Sequence, residues 1–500
     1  MDRKRKAFLT SVTSLAYQVL TILCGLILPR CFLSKYGSSV NGLVSSITQF
    51  LGFISLAECG VGTVVRAALY KPLAEKNHLE ISKIIKSSNS FFHRILIILL
   101  VYTVGLMIVY PCFTIERFDF WFTSLLIAII SIGIIAQNYL CMSYRLLLSS
   151  DQMGFIILGL QCLTMVANTL LCVVLIRLNA GIHTVKLISA TIFFCQPFII
   201  SAIVKRKYKI DTKIVLNEEP IKQKWNGFAQ HIASVVLANT DVVVLTVLST
   251  LENVSIYSVY NLIVNGVRNL VDAFTNGIQA LLGNMLAKKE YNKLNETFSI
   301  FEWGLHTVTT LFFSITAILI VPFIAIYTKN VTDANYINPL FGLLLTLSQA
   351  IYCIRLPYSI MIVVAGHFKQ TQWSAIVEVI INIFVSVVLV FFWGLIGVAI
   401  GTIMAMLYRS VYFAWYLSKH ILKRDLKIFL GHILIDIFSA IIAALTSLSF
   451  VTNNVSDYWS WFILAIKVGG ALLVETIVIN LIFYPRNIKK IMGVLKNYHP

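Results

Sequence analysis

The sequence predicts an all-α, polytopic membrane protein of about 14 transmembrane helices, set as two six-helix lobes around a central cavity plus two C-terminal helices. Three observations carry that prediction. The 500-residue chain is 58% hydrophobic and only 12% charged, with a mean hydropathy of +0.83, against about 45–50% apolar and about 25% charged residues in soluble domains. Its apolar residues gather in runs of about 20, the length that crosses a hydrocarbon core of about 30 Å. Its basic residues lie in short clusters between the runs and favour every second connector.

Each run is read as a helix, because in lipid only a helix or a closed barrel satisfies its own backbone groups. The runs fall near residues 8–30, 40–65, 92–113, 121–143, 154–177, 184–204, 228–250, 254–286, 299–328, 337–365, 374–394, 397–418, 428–450 and 460–484. The basic start Arg3-Lys4-Arg5-Lys6 has the look of a signal peptide. The run that follows it is too long for one and lacks a small-x-small cleavage site, so it is read as a retained first helix.

Lys and Arg accumulate in loops on the cytoplasmic side of a membrane. With the N-terminus inside, thirty of the 40 Lys and Arg residues fall in inner segments and six in outer loops. A single missed span would scramble that bias, so both termini are expected in the cytoplasm of a bacterial cell, with the chain in its inner membrane. The net charge of +18 is therefore a membrane-topology charge. It forms no continuous basic surface, which argues against nucleic acid as a partner.

The longest polar connector, 205–227, contains Asn217-Glu218-Glu219-Pro220 and separates an N-terminal lobe (1–204) from a C-terminal lobe (228–418), with two further spans (428–484) and a basic tail (485–500). After six spans the seventh enters in the direction of the first, as in parallel-repeat transporters.

Polar side chains kept inside such spans cost energy and mark partners or water. In the eighth span Asn261, Asn265, Arg268, Asp272, Asn276 and Gln279 recur every three or four residues, on one helix face. The second span repeats the device with Asn41, Ser45, Thr48, Gly52, Ser55, Glu58, Gly62 and Arg66. Two such stripes in equivalent helices predict that both lobes face one cavity; the alternative is hydrogen-bonded helix packing. Arg30, Arg66, Arg268, Arg355 and Arg409, inside spans or at their rims, favour an anionic cargo, since a guanidinium offers phosphate a planar fork of donors and stays charged. Glu58, Asp241, Asp272 and Glu378 are candidates to balance that charge or to take a coupling ion, Na⁺ or H⁺. No cofactor is expected.

Other chemistries find little support. The chain has no P-loop, its nine histidines form no HExxH motif or close pair in sequence, and its nine cysteines are scattered as small hydrophobes. The histidines are read as polar fillers or surface residues, and no enzyme is expected.

Several short motifs run through the chain in order: Tyr36-Gly37 with Asn41-Gly42, Gly60-Val61-Gly62 followed by Leu69-Tyr70-Lys71-Pro72-Leu73-Ala74, and Asp151-Gln152. They continue with Asn239-Thr240-Asp241, Tyr257-Ser258 and Tyr260-Asn261, Gly366-His367-Phe368-Lys369-Gln370-Thr371, Gly394-Leu395-Ile396-Gly397 and Gly401-Thr402. In these the chain resembles the bacterial polysaccharide transporter family, the oligosaccharide repeat-unit flippases of the multidrug/oligosaccharidyl-lipid/polysaccharide exporter superfamily. The resemblance implies a two-lobed alternating-access carrier that moves a polyprenyl-pyrophosphate-linked oligosaccharide to the outer leaflet for capsule, O-antigen or related polymers. It further implies that cavity arginines, here Arg268, Arg30, Arg66 and Arg355, hold the pyrophosphate and sugar, with Asn261, Asn265 and Gln279 on the same stripe as Arg268. A polymerase and glycosyltransferases of the same pathway would be its partners beside the lipid bilayer. The rival readings are a cation-coupled multidrug exporter of the same superfamily, expected to prefer an acidic cavity, and a membrane-embedded polymerase or acyltransferase, expected to carry a larger outer loop.

Overall fold

Hydrocarbon offers a backbone no hydrogen-bond partner but itself, and the chain answers with helix. The computed structural model describes residues 3–53, 61–211, 228–275, 278–450 and 455–489, and none of these lies in a strand. The helices are α1 (Arg3–Gly52), α2 (Val61–Glu75), α3 (His78–Val109), α4 (Pro111–Thr114), α5 (Phe120–Asn138), α6 (Met142–Ser150), α7 (Gly154–Arg177) and α8 (Ile182–Lys207). They continue as α9 (Phe228–Leu248), α10 (Leu251–Ala273), α11 (Ile278–Ala287), α12 (Tyr291–Tyr327), α13 (Pro339–Val364), α14 (Phe368–Trp393), α15 (Leu395–His420), α16 (Lys427–Ser447) and α17 (Tyr458–Phe483).

Eleven stretches of the described residues are long and apolar enough to cross a membrane. The first, Phe8–Gly52, holds 45 residues, which at about 1.5 Å each is roughly twice what a bilayer core needs. It bends at Gly37, whose φ of 79° lies in the left-handed region that glycine enters freely. The predicted spans 8–30 and 40–65 therefore meet at that kink. Counting this stretch as two crossings gives twelve among the described residues; the shorter apolar α9 and the polar-striped α10, neither of them among the eleven, would bring the number to the expected fourteen. This is a multi-pass membrane protein.

The eighth predicted span, 254–286, is corrected. Helix α10 stops at Ala273, the amides of Phe274 and Thr275 bond back to Val271 and Asp272, and α11 begins at Ile278. The single polar stripe is thus cut, and Gln279 sits on a different helix from Arg268.

The chain divides into two compact units, Met1–Ser255 and Ile256–Pro500. The division falls within α10; of the 205–227 connector that the sequence reading sets between its lobes, residues 212–227 lie outside the described residues. In the first unit α9 packs against α1. Asn41 Nδ2 donates to Ser255 Oγ at 2.7 Å, Ser46 and Thr246 share a hydrogen bond of 2.6 Å, and a Cβ on Gly42 would stand 2.7 Å from the Leu251 carbonyl carbon. Small and hydroxylated residues here serve close helix packing, the usual device where lipid tails compete for every apolar surface.

One end of the first unit is tied by a charged clamp. In the turn between α6 and α7, Asp151 accepts at Oδ1 from Lys6 Nζ at 3.1 Å and at Oδ2 from the Tyr208 hydroxyl at 2.5 Å, and Lys207 Nζ lies 3.3 Å from the same Oδ2. Partial burial pushes the Asp151 carboxyl up, but the hydrogen bonds from Tyr208 and Lys6 and the charges of Lys207 and Lys6 outweigh it and hold the group below the usual carboxylate range. The first helix is thereby stapled to the end of α8.

In the second unit α14 and α15 form a hairpin through Gly394, with φ 51°. The hairpin closes tightly because Gly397 and Gly401 face its other arm. A Cβ on Gly397 would stand 2.8 Å from Val390 N, and one on Gly401 2.7 Å from Ser386 N.

Candidate functional site

An arginine in an apolar helix has to be paired or wetted, and the second unit contains both cases. Arg355 on α13 and Arg409 on α15 are each 8% exposed and converge on Glu378 of α14, which is wholly buried. Arg355 Nη1 donates to Glu378 Oε1 at 2.5 Å, and Arg409 Nη1 donates to Glu378 Oε2. The tight α14–α15 hairpin is what brings Glu378 beside Arg409. Two cations share one carboxylate, so the sealed triad keeps one positive charge.

Arg268 on α10 is held differently. Its Nη1 lies 3.4 Å from Gln349 Oε1 and its Nε 3.6 Å from Asp272 Oδ2, and Nε makes no hydrogen bond among the described residues. These are long contacts, at or beyond the limit of hydrogen bonding. Its side chain keeps 30% exposure and that of Asp272 34%. Its guanidinium carbon rests 3.8 Å from the centroid of the Tyr352 ring, which also meets Arg355 at 5.1 Å. Tyr352 thus joins an open arginine to the closed triad, and the ring holds the Arg268 fork by a cation–π contact without using up its donors.

The whole cluster counts three arginines against two carboxylates. Its surplus positive charge cannot be cancelled from inside the triad, so it projects toward the accessible Arg268–Asp272 end. That arrangement suits a phosphate-bearing ligand, which a guanidinium fork meets with two parallel hydrogen bonds.

The structure sorts the residues singled out in the sequence. Arg268 and Asp272 pair at the open end, with half-buried Asn265 and Asn261 on the preceding turns of α10. Arg355, expected to bind cargo, and Glu378, expected to balance charge or take an ion, are brought together with Arg409 in one buried ion triad. Gln279 is exposed on α11, away from the α10 face. In the first unit Arg30 on α1 and Arg66 on α2 are half-buried, and Asp241 on α9 is 4% exposed. Glu58 and Asn276 lie outside the described residues. Gln349 and Tyr352 complete the site and were missed; Tyr352 stands one turn before Arg355, a spacing that offered a signal.

A second polar cluster corrects the reading of the histidines as isolated. Glu302, buried on α12, receives a two-pronged contact from Arg424, with Nη1 2.6 Å from Oε2 and Nη2 on Oε1, and also accepts from the Tyr358 hydroxyl of α13. One turn on, His306 Nδ1 lies 2.5 Å from Asp436 Oδ2 of α16, whose Oδ1 accepts from Thr310 at 2.8 Å. His432 Nδ1 bonds the Tyr484 hydroxyl at 2.6 Å, and its ring stands 5.0 Å from that of His306. The signal was present: Glu302 and His306, and His432 and Asp436, are each four apart, two titratable pairs on the faces of apolar helices.

No protein-family model and no curated protein sequence matches the chain. Solved structures do match in shape. Lipid II flippase MurJ in an inward closed conformation aligns with a TM-score of 0.70 at 17% identity, over 96% of this chain and 100% of that one. A multidrug resistance MATE family transporter of the MOP superfamily aligns in its inward-facing conformation with a TM-score of 0.60 at 14% identity, over 81% of this chain and 95% of its own. A Vibrio cholerae MATE transporter, VcmN, gives 0.54 at 12% identity, over 84% and 97%. The chain therefore has the fold shared by the MurJ flippase and the MATE transporters of the MOP exporter superfamily.

Proposed function

We propose that this protein is a transporter, not an enzyme, and a flippase: it carries a polyprenyl-pyrophosphate-linked oligosaccharide repeat unit from the inner to the outer leaflet of a bacterial cytoplasmic membrane, by alternating access, for capsule, O-antigen or a related polymer. The observation that carries the reading is the loosely held, accessible Arg268 backed by a sealed cluster of net positive charge. A cationic drug would be repelled by that field, whereas a pyrophosphate would be drawn to it. The similarity in fold to a lipid II flippase agrees with a lipid-linked cargo. On this reading both termini lie in the cytoplasm, a polymerase and glycosyltransferases act on the same cargo, and Asp272 is the accessible carboxylate for a coupling ion, Na⁺ or H⁺.

The test is replacement of Arg268 in the producing cell. Arg268→Ala is expected to abolish surface polymer and leave the lipid-linked repeat unit on the cytoplasmic leaflet, with the protein still in the membrane. Arg268→Lys, which keeps the charge but loses the fork, is expected to give an intermediate yield. Normal polymer from Arg268→Ala overturns the assignment.

A further inference from the structure

The cluster around His306 has no part in the cargo reading, and its geometry is that of a proton site. Arg424 and Glu302 neutralise each other through their two-pronged contact. Among the described residues Asp436 is then left without a cation, its side chain only 14% exposed, and a buried carboxylate in that position has to be paired or neutralised. Among the described residues the group placed to do so is His306, 2.5 Å away and itself 2% exposed.

Both ring nitrogens of His306 face acceptors. Nδ1 meets Asp436 Oδ2. Nε2 lies 3.5 Å from the Tyr358 hydroxyl, and that hydroxyl's own proton is committed to Glu302. A neutral imidazole donates from one nitrogen only; a doubly protonated ring needs acceptors on both sides, and here one is in contact with Nδ1 while the other stands at a long 3.5 Å from Nε2. The charged and titratable groups facing the ring are Glu302 on its own helix, Tyr358 on α13, Arg424 between α15 and α16, His432 and Asp436 on α16, and Tyr484 just beyond α17. With both histidines neutral these sum to one negative charge, and a single proton brings the sum to zero. A second proton on His432, 5.0 Å away ring to ring, would meet like charge.

A small pocket with room for about one water reaches the pair; His306, Thr307, Thr310, Asp436, Asn480 and Tyr484 are among its walls. We infer that His306 and Asp436 form a proton-binding site, reached through this pocket, in which one bound proton docks α16 and α17 onto α12. The site goes beyond the cargo reading and does not depend on it. Neutral contacts also join these helices, Trp303 Nε1 donating to Asn480 Oδ1 at 2.6 Å and Thr307 to the same oxygen at 3.1 Å, while His432 Nε2 lies 3.8 Å from Glu302 Oε2. Among the described residues, the variable charge at the joint is thus the proton shared by His306 and Asp436, with His432 disfavoured as a second carrier by the like charge beside it.

The full chain, reconstituted in lipid nanodiscs with ¹⁵N-labelled histidine and ¹³C-labelled aspartate, tests this. As the pH is lowered from about 8 to about 5, the range in which histidine titrates, a doubly protonated ring in contact with an aspartate carboxyl carbon is expected to appear. It should be missing in His306→Gln and retained in His432→Gln. Amide exchange in α16 is expected to slow at least several-fold more than intrinsic chemistry dictates on acidification of the wild type, and to lose that dependence in Asp436→Asn. A wild-type His306 that stays singly protonated throughout, a result needing no variant, overturns the site. Retention of the signal in His306→Gln, or α16 exchange in Asp436→Asn that follows the wild type, does so as well.

Discussion

Replacing Glu378 by glutamine changes one oxygen for an amide and should nonetheless be among the most damaging substitutions in the second unit. The wild-type triad holds two guanidiniums on one fully buried carboxylate. The amide leaves both cations in place, buried, with no counter-charge and with each other as neighbours. Breaking one buried pair costs about 3–5 kcal/mol, mostly the penalty of the stranded charge. Here one substitution strands two, so the upper end of that range applies, near the ~4 kcal/mol of a single contact pair at 4 Å and an effective dielectric of about 20. At about 2–4 °C per kcal/mol, the melting midpoint of the detergent-solubilised protein should fall by about 10 °C or more. The charge argument makes a second demand. Adding Arg409→Met to Glu378→Gln returns the cluster to its original surplus of one, so the double variant should melt above the single one, a coupling that a double-mutant cycle measures. If Glu378→Gln melts with the wild type, or if the double variant is worse by the full sum of the two, the triad is not held by charge and the reasoning fails.

Other consequences are as definite. Gly401→Ala places a methyl group 2.7 Å from Ser386 N, so the α14–α15 hairpin must shift; a loss of about 1–3 kcal/mol is expected in thermal unfolding, and Gly266→Ala, where a Cβ meets nothing within 4 Å, serves as the control that should not show it. The clamp at Asp151 gives a pH dependence with a definite sign. Its folded carboxyl is held below the usual range, so the clamp stabilises above the ordinary carboxylate pKa of about 3.9 and fades as the pH falls through the lower, folded value. Asp151→Asn should therefore cost about 1 kcal/mol near neutrality and progressively less in acid; an equal deficit at every pH contradicts it. Tyr352→Leu removes the ring that seats Arg268 but leaves the charges, so cargo turnover should fall by about two- to fivefold, at about 0.5–1 kcal/mol for the lost contact, with stability little changed in the same melting assay.

How much of this was legible in the sequence depends on what each feature rests on. Span positions rest on hydrocarbon thickness and run length, and they emerge nearly in place, down to the two crossings that α1 fuses across Gly37. The break after Ala273 was signposted by the Asn276-Gly277 dipeptide, a turn former, but the regular polar spacing around it read as one helix. Arg355, Glu378 and Arg409 stand out as charges against apolar neighbours. That Glu378 binds both, 23 and 31 residues away in sequence, is a matter of helix register against helix, which no single-helix periodicity contains. The reverse holds for His306 and Asp436. Each sits four residues from another titratable group on its own helix, so the pairs were visible; their meeting, 130 residues apart in sequence, was not.

The cargo account stands most directly on one binding measurement: the affinity of the purified protein in nanodiscs for a polyprenyl-pyrophosphate oligosaccharide, compared between the wild type and Arg268→Ala. Loss of charge-assisted hydrogen bonds worth about 1.5–3 kcal/mol predicts a Kd weaker by about tenfold to about a hundredfold, with inorganic pyrophosphate competing for the wild type. Equal affinity in the two proteins would contradict the claim that Arg268 receives the phosphate.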